Sequence, residues 1–341
     1  MGSGTVGLSV LDLVPIVAGG TASEALANSL DLAQHAEKWG YRRYWIAEHH
    51  NMPGIASSAT SVVIGYIAAG TSRIRVGSGG IMLPNHAPLV IAEQFGTLES
   101  LFPGRIDLGL GRAPGGDPLS AKALRRSFSS GEEFPQDLLE LRSYFEEREG
   151  GRTVRAVPGE GLQIPIWLLG SSDFSARLAA RLGLPFAFAS HFAPDYLHSA
   201  LAIYRGEFQP SSSLERPYAM VAVNGFVADT DEEAEVLFSS LLQTFLNLVR
   251  GTPGKLAPPV TSMDGLWSLQ EREAASRMVR YSAVGSPATA KARLDRIAGE
   301  TQADELIVSS HIYDHRARLR SYRLLAEAWN GTHRASSEKI F

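Results

Sequence analysis

Along almost the whole chain, short β-branched or apolar runs alternate with amphipathic helical segments, and that alternation permits few folds. The pattern predicts strands near 6–11, 43–48, 73–78, 105–110, 165–169, 185–190, 219–227 and 304–310. A helical pattern follows each strand: Glu24 to Trp39, Ser57 to Gly70, Pro88 to Leu101, a polar segment plus Glu132 to Arg148, Asp173 to Gly183, Pro194 to Tyr204, Asp231 to Arg250, and His315 to Trp329. A further helix, Ser286 to Ala298, precedes the last strand. Each strand alone is a weak signal; the count of eight carries the argument. Eight βα units without a change of composition predict one α/β unit over 1–341, a single (β/α)8 TIM barrel rather than a doubly wound sheet. With 341 residues, 44% of them hydrophobic, the chain can fill such a core. Met1 to Gly4 is set apart as an expression remnant outside the fold argument.

Composition narrows the function. The formal charge is -4, with acids and bases scattered, so there is no basic stripe for nucleic acid and no polybasic segment for a membrane. Cysteine is absent, which excludes disulfides, thiolate nucleophiles and Cys-ligated metals. No apolar run approaches the ~20 residues of a membrane span, and a soluble cytoplasmic protein is expected.

Two insertions depart from the minimal barrel. The stretch 112–163 follows strand four, and its Arg152-Thr153-Val154-Arg155-Ala156-Val157-Pro158 has the pattern of a small hairpin. After the helix that follows strand seven, Gly251 to Pro259 is too rich in Gly and Pro to be regular, and 251–280 is expected to form a lid over the mouth. The helix Ser57 to Gly70 lacks a charged face, which predicts cover by a loop or a homodimer interface, with the homodimer preferred.

In a parallel barrel, chemistry collects at the carboxyl ends of the strands. Five of the nine histidines fall there: His49 and His50 after strand two, His86 after strand three, His191 after strand six and His311 after strand eight. An imidazole at that place can act as acid, base, hydrogen-bond partner or metal ligand. A metal is disfavoured, because strand one lacks histidine and adjacent His49 and His50 project in different directions. Anion binding is better supported. Gly170-Ser171-Ser172 stands between strand five and a helix, where hydroxyls and free amides can meet a phosphate, and Arg112 ends the glycine-rich strand four. The bland readings are Ser172 as an ordinary helix cap and Arg112 as a surface ion pair. Strand three runs through Ser78-Gly79-Gly80, a flat surface for a ring. An apolar mouth, a glycine platform and one phosphate pocket describe a phosphorylated aromatic cofactor such as FMN.

The ordered set Trp45-Ile46-Ala47-Glu48-His49-His50, Val76-Gly77-Ser78-Gly79-Gly80-Ile81-Met82-Leu83-Pro84, Gly104 to Arg112, Gly170-Ser171-Ser172 and Val284-Gly285-Ser286-Pro287 resembles the bacterial luciferase-like flavin-dependent monooxygenases. The resemblance covers most of the chain and implies a (β/α)8 barrel that takes FMN as FMNH2, often supplied by a separate flavin reductase. It implies reaction with O2 through a C4a-peroxyflavin that oxidises a small apolar organic substrate. Carried over, His49 is the catalytic histidine, and Gly79-Gly80 takes the place of a non-proline cis peptide against the isoalloxazine. Arg112, Ser171 and Ser172 hold the phosphate, while Ser190 and His191 line the ring or substrate side. His50 supports the loop. Alternatives on the same barrel are a coenzyme F420-dependent hydride transfer and a flavin-binding protein without turnover.

Overall fold

A computed structural model describes residues 6–113, 116–126, 131–147 and 154–337. Its strands are β1 (Gly7–Asp12), β2 (Arg43–Ile46), β3 (Arg75–Ser78), β4 (Ile81–Met82), β5 (Ile106–Gly111), β6 (Ile166–Gly170), β7 (Phe186–Phe188), β8 (Ala219–Val227), β9 (Ser282–Gly285) and β10 (Glu305–Ser309). The helices are α1 (Ala22–Trp39), α2 (Thr60–Ala69), α3 (Pro88–Leu101), α4 (Pro118–Ala123), α5 (Phe134–Phe145), α6 (Asp173–Leu182), α7 (Leu197–Gly206), α8 (Asp231–Val249), α9 (Leu269–Met278), α10 (Pro287–Thr301) and α11 (His315–Ser337). Strands β1, β2, β3, β5, β6, β7, β8 and β10 pair in that order, all in parallel, and β10 closes back onto β1. The expected eight-stranded barrel is therefore present, with every expected strand in place.

Elements outside the sequence expectation include β4, β9, α4, α9 and a 3-10 turn at Leu83–Asn85. Strand β9 arises because β8 is long. Its first half pairs with β10, Met220 facing Glu305, and its second half has outrun the barrel and pairs with β9, Asn224 facing Ser282. Helix α9 lies within 251–280, where the sequence predicts only an irregular lid. It has a capping box between Ser268 and Glu271, the N-terminal signal of an ordinary helix. Of the expected hairpin at 152–158, Arg152 and Thr153 lie outside the described residues, and 154–158 forms no strand.

Apolar side chains form three packed regions. The largest lies between barrel and helices, a second under α8 and α9, and a third inside the barrel, from Leu11, Trp45, Ala47, Trp167, Ala187, Met220, Ala222 and Ile307. Alternation along a strand sets which residues enter the interior. On β2 and just past its end these are Arg43, Trp45 and Ala47; on β10 they are Glu305 and Ile307.

At the amino-terminal end the interior is charged. Arg43 reaches Asp107 at 2.8 Å and Glu305 at 3.1 Å, Arg75 reaches Asp107 at 2.7 Å, and Tyr218 donates to Glu305 at 2.8 Å. Trp45 also donates to Asp107. Above this layer Trp45 and Trp167 pack edge to face, 5.1 Å between ring centroids.

On α2 the expected absence of a polar face has a visible result: Val62 and Tyr66 remain exposed, as do Val90 and Leu101 of α3. No described helix is long and apolar enough to cross a membrane.

Candidate functional site

A cavity of about 460 Å³ opens at the carboxyl ends of the barrel strands. Its floor is the Trp45 and Leu11 layer with Gly79 and Gly80, joined by a cis peptide. The glycines are required by close approach. A Cβ on Gly80 would lie 2.7 Å from the Gly109 carbonyl oxygen, and one on Gly79 would lie 2.6 Å from Leu11 Cδ1. These two residues form a flat surface on the cavity floor.

Strand alternation places the imidazoles. Continuing inward from Trp45 and Ala47 gives His49; from Ala187 and Ala189 it gives His191; from Ile307 and Ser309 it gives His311. All three line the cavity. Among the described residues, nothing hydrogen-bonds the buried atoms His49 Nδ1, His191 Nδ1 and His311 Nε2. Burial holds the His49 imidazole down to about 4, although Glu48 opposes the shift. Burial likewise lowers His191 to about 3 and His311 to about 4, helped in each case by neighbouring cationic or imidazole groups. All three are neutral at pH 7 and face one space.

Glu48 and His50 point away from the cavity. The Glu48 carboxylate accepts from His50 Nε2 at 2.7 Å, His86 Nε2 at 2.9 Å and the Met82 amide at 3.0 Å. Burial alone would raise the Glu48 pKa, but the hydrogen bonds from His86 and His50 hold it below the usual range. This cluster ties the loop after β2 to the loop after β3. Among the described residues, Glu48, His50 and His86 are the one group of three whose donor atoms lie close enough together for an ion. The donors are already engaged with one another.

At the other side of the cavity, Arg112, Gly170, Ser171 and Ser172 come together at the amino-terminal end of α6. The Arg112 guanidinium lies 4.2 Å from the ring centroid of Phe174, which steers it over the helix end. Among the described residues no carboxylate pairs with Arg112. Ser172 occupies the cap position of α6, yet its hydroxyl makes no capping bond. Among the described residues neither bland reading holds: a cation without a carboxylate partner and two hydroxyls stand at the start of α6, whose first turn carries Asp173, bonded by Ser199.

Two candidate residues point elsewhere. Ser78 Oγ donates to the Gly109 carbonyl at 2.7 Å and accepts from the Gly109 amide at 2.9 Å, and Ser190 Oγ donates to the Ala222 carbonyl at 2.6 Å. Both are buried and absent from the lining, because the same alternation that turns Gly79 and His191 inward turns their neighbours outward. They stitch adjacent strands.

The cover extends beyond the expected lid. Leu241, Thr244, Phe245 and Leu248 line the cavity from one face of α8, at the spacing of a helix stripe. That stripe is the one signal of it in the sequence. The segment around Leu256 crosses the mouth, where Leu256 exchanges backbone hydrogen bonds with Ile16 and Ala18 at 2.9 and 2.8 Å. Gly54 permits the crossing, since a Cβ there would lie 2.3 Å from the Gly254 carbonyl oxygen.

Residues 8–305 match the family described as luciferase-like monooxygenase. A protein of Escherichia coli K12 called luciferase-like monooxygenase is 56% identical over 321 residues, covering 94% of this chain and 96% of its own. The crystal structure of apo-MsnO8 superposes with a TM-score of 0.84 at 37% identity, covering 95% of this chain and 98% of that one. The fold recurs at lower identity. It is found in the FMN complex of the oxygenating constituent of 3,6-diketocamphane monooxygenase from Pseudomonas putida (TM-score 0.71, 18% identity, 95% and 97% covered). It is found also in an F420-dependent secondary alcohol dehydrogenase with an F420-acetone adduct (0.70, 14%, 96% and 98%).

Proposed function

The chain belongs to the luciferase-like monooxygenase family, and on that premise we propose that it is an FMN-dependent monooxygenase, using reduced FMN and O2 to place one oxygen atom on a small apolar organic substrate. The observation that carries the reading is one cavity with an unpaired anion cradle at one side and a buried, unpartnered, neutral imidazole at the other. The residues fit the cofactor. Arg112, Ser171 and Ser172 would hold the phosphate, and Gly79 and Gly80 offer the ring a surface without side chains. When bound, reduced FMN supplies the electrons that activate O2.

The protein's part is placement and protection. His49 is neutral near pH 7, so it can accept a proton or a hydrogen bond at Nδ1, which no described residue occupies. Apolar residues of α8 and the strap through Leu256 keep water from that space. A separate reductase supplying reduced FMN, and a homodimer formed through the apolar outer faces of α2 and α3, belong to the same proposal; sedimentation tests the dimer.

Titration with FMN, riboflavin and F420, followed by turnover of the reduced complex under labelled O2, tests the reading. FMN should bind more tightly than riboflavin, and product should carry one labelled oxygen atom. Tight F420 binding with hydride transfer and no labelled product would sink it in favour of the F420 alternative. Flavin binding with no substrate oxidation would favour the non-catalytic reading. In His49→Ala, turnover should fall by ~10²–10⁴ with FMN affinity little changed.

A further inference from the structure

Among the described residues there are five methionines, and Met52, Met82 and Met278 line the cavity. Each of these three is half-buried. Met220 is sealed in the barrel interior and Met263 is buried away from the lining. The three thioethers arrive from separate walls: Met52 from the loop after β2, Met82 from β4, two residues past Gly80, and Met278 from the end of α9.

Met82 is the most closely fixed. Its amide donates to Glu48 at 3.0 Å, and β4 pairs it with Gly111. A Cβ on Gly111 would lie 3.1 Å from Met82 Sδ, so the sulfur packs over the bare face of the residue that leads into Arg112. The thioether thus stands on the strand that continues from the Gly79-Gly80 floor and against the strand that ends at the anion cradle. Sulfur in that place is open to oxidation, because a thioether takes an oxygen atom from a peroxide directly. The chain has no cysteine to compete for it.

We propose that Met82 is an oxidation site built into the cavity, and that the protein oxidises it itself when no organic substrate is bound. The oxidant is hydrogen peroxide, and for its source the proposal rests on the proposed function. O2 takes two electrons and two protons from the reduced flavin and becomes the peroxide. The Met82 sulfur then attacks one peroxide oxygen: an S–O bond forms, the O–O bond breaks, sulfur gives up two electrons, and the other oxygen leaves with both protons as water. The resulting sulfoxide is polar and stands where the floor meets the cradle, so it weakens cofactor binding. A protein that idles without substrate thereby disables itself.

The first test reads the modification. Protein with reduced FMN is exposed to labelled O2 without organic substrate, with and without catalase to destroy peroxide in bulk solution, and its peptides are analysed by mass spectrometry. Met82 should carry the labelled oxygen in both samples, while Met220 and Met263 carry none. Absence of label from Met82, label spread equally over all the methionines, or label on Met82 that catalase abolishes overturns the proposal.

The second test needs no turnover. Flavin-free protein is treated with hydrogen peroxide, the peroxide is removed, and FMN affinity is compared before and after. The parent should weaken about 10-fold, the scale of one buried polar group left unpaired. Met82→Leu, similar in volume and without sulfur, should keep its own untreated affinity. No loss in the parent, or an equal loss in Met82→Leu, overturns the effect assigned to Met82. Should that variant fail to fold, the labelling of the parent decides alone. If untreated protein binds no FMN, the proposed function fails and takes the peroxide source with it; if FMN binds and Met82 stays unlabelled, this inference alone has failed.

Discussion

Both ends of this barrel bury polar side chains, and they treat them oppositely. At the amino-terminal end Asp107 receives Arg43, Arg75 and Trp45, while Glu305 receives Arg43 and Tyr218, so that every charge meets its opposite. At the carboxyl end, among the described residues, His49, His191 and His311 each keep a buried nitrogen with no partner and Arg112 has no carboxylate. A satisfied network holds strands in register. An unsatisfied one is complete only when something else is bound. The same inward positions of the same strands thus serve structure at one end and recognition at the other.

The comparison breaks if the closed end can be cut without cost. Asp107→Ala leaves Arg43 with Glu305 alone and Arg75 with only the Gly104 and Ile106 carbonyls, and should destabilise the fold by about 3–5 kcal/mol in denaturant unfolding. The scale is that of removing one partner of a buried pair. Loss below 1 kcal/mol would mean that the amino-terminal network is not the staple its geometry describes.

Next in size is a pH effect at the open end. A buried histidine held near 4, against an ordinary value near 6.5, binds a proton in the unfolded chain before it binds one in the folded protein. Stability should therefore fall as pH drops below about 6.5, with the loss levelling off below the folded-state values near 3 to 4. For His49 alone the loss at pH 4.5 is about 2–3 kcal/mol relative to pH 7. His49→Phe should flatten the pH profile of unfolding by that amount. A parallel profile would place the burial of His49 in doubt.

A smaller effect separates the cation from the imidazoles. Arg112→Ala should weaken FMN by about 1.5–3 kcal/mol, the scale of hydrogen bonds to a charged group, and leave riboflavin nearly unchanged. Equal losses for both ligands would take Arg112 off the phosphate.

Much of this contrast is legible in the amino-acid pattern, and alternation decides which parts. Eight strands are recoverable because each is an apolar or β-branched run bounded by helix signals. His49 stands out from His50 because a strand turns successive residues to opposite faces. Carried consistently, the same parity turns Ser78 and Ser190 away from the cavity, since Gly79 and His191 are their inward neighbours. What parity cannot give is closure: that His49, His191 and His311 share one space depends on which strands end at the same height around a barrel, and register is not written in single strands. The α8 stripe escapes for another reason. Leu241, Phe245 and Leu248 look like any core-facing stripe, and Leu241 and Phe245 do pack in the region under α8 and α9; that the same stripe also borders a cavity depends on what stands opposite it, which its own spacing does not encode.

Ser172 gives the finest cut between the two kinds of burial. A serine at a helix start ordinarily bonds a free backbone amide of the first turn, and its loss to alanine costs about 1 kcal/mol of stability. Here the cap position is filled but the bond is not made, whereas Thr21 and Ser268 do cap α1 and α9. Ser172→Ala should then leave stability within about 0.5 kcal/mol of the parent, while FMN binding weakens by a few-fold, one hydrogen bond's worth. Thr21→Ala should do the reverse, lowering stability by about 1 kcal/mol with flavin affinity untouched. If Ser172→Ala destabilises the fold as much as Thr21→Ala does, its hydroxyl is a cap after all, and the anion cradle rests on Arg112, Ser171 and backbone amides alone.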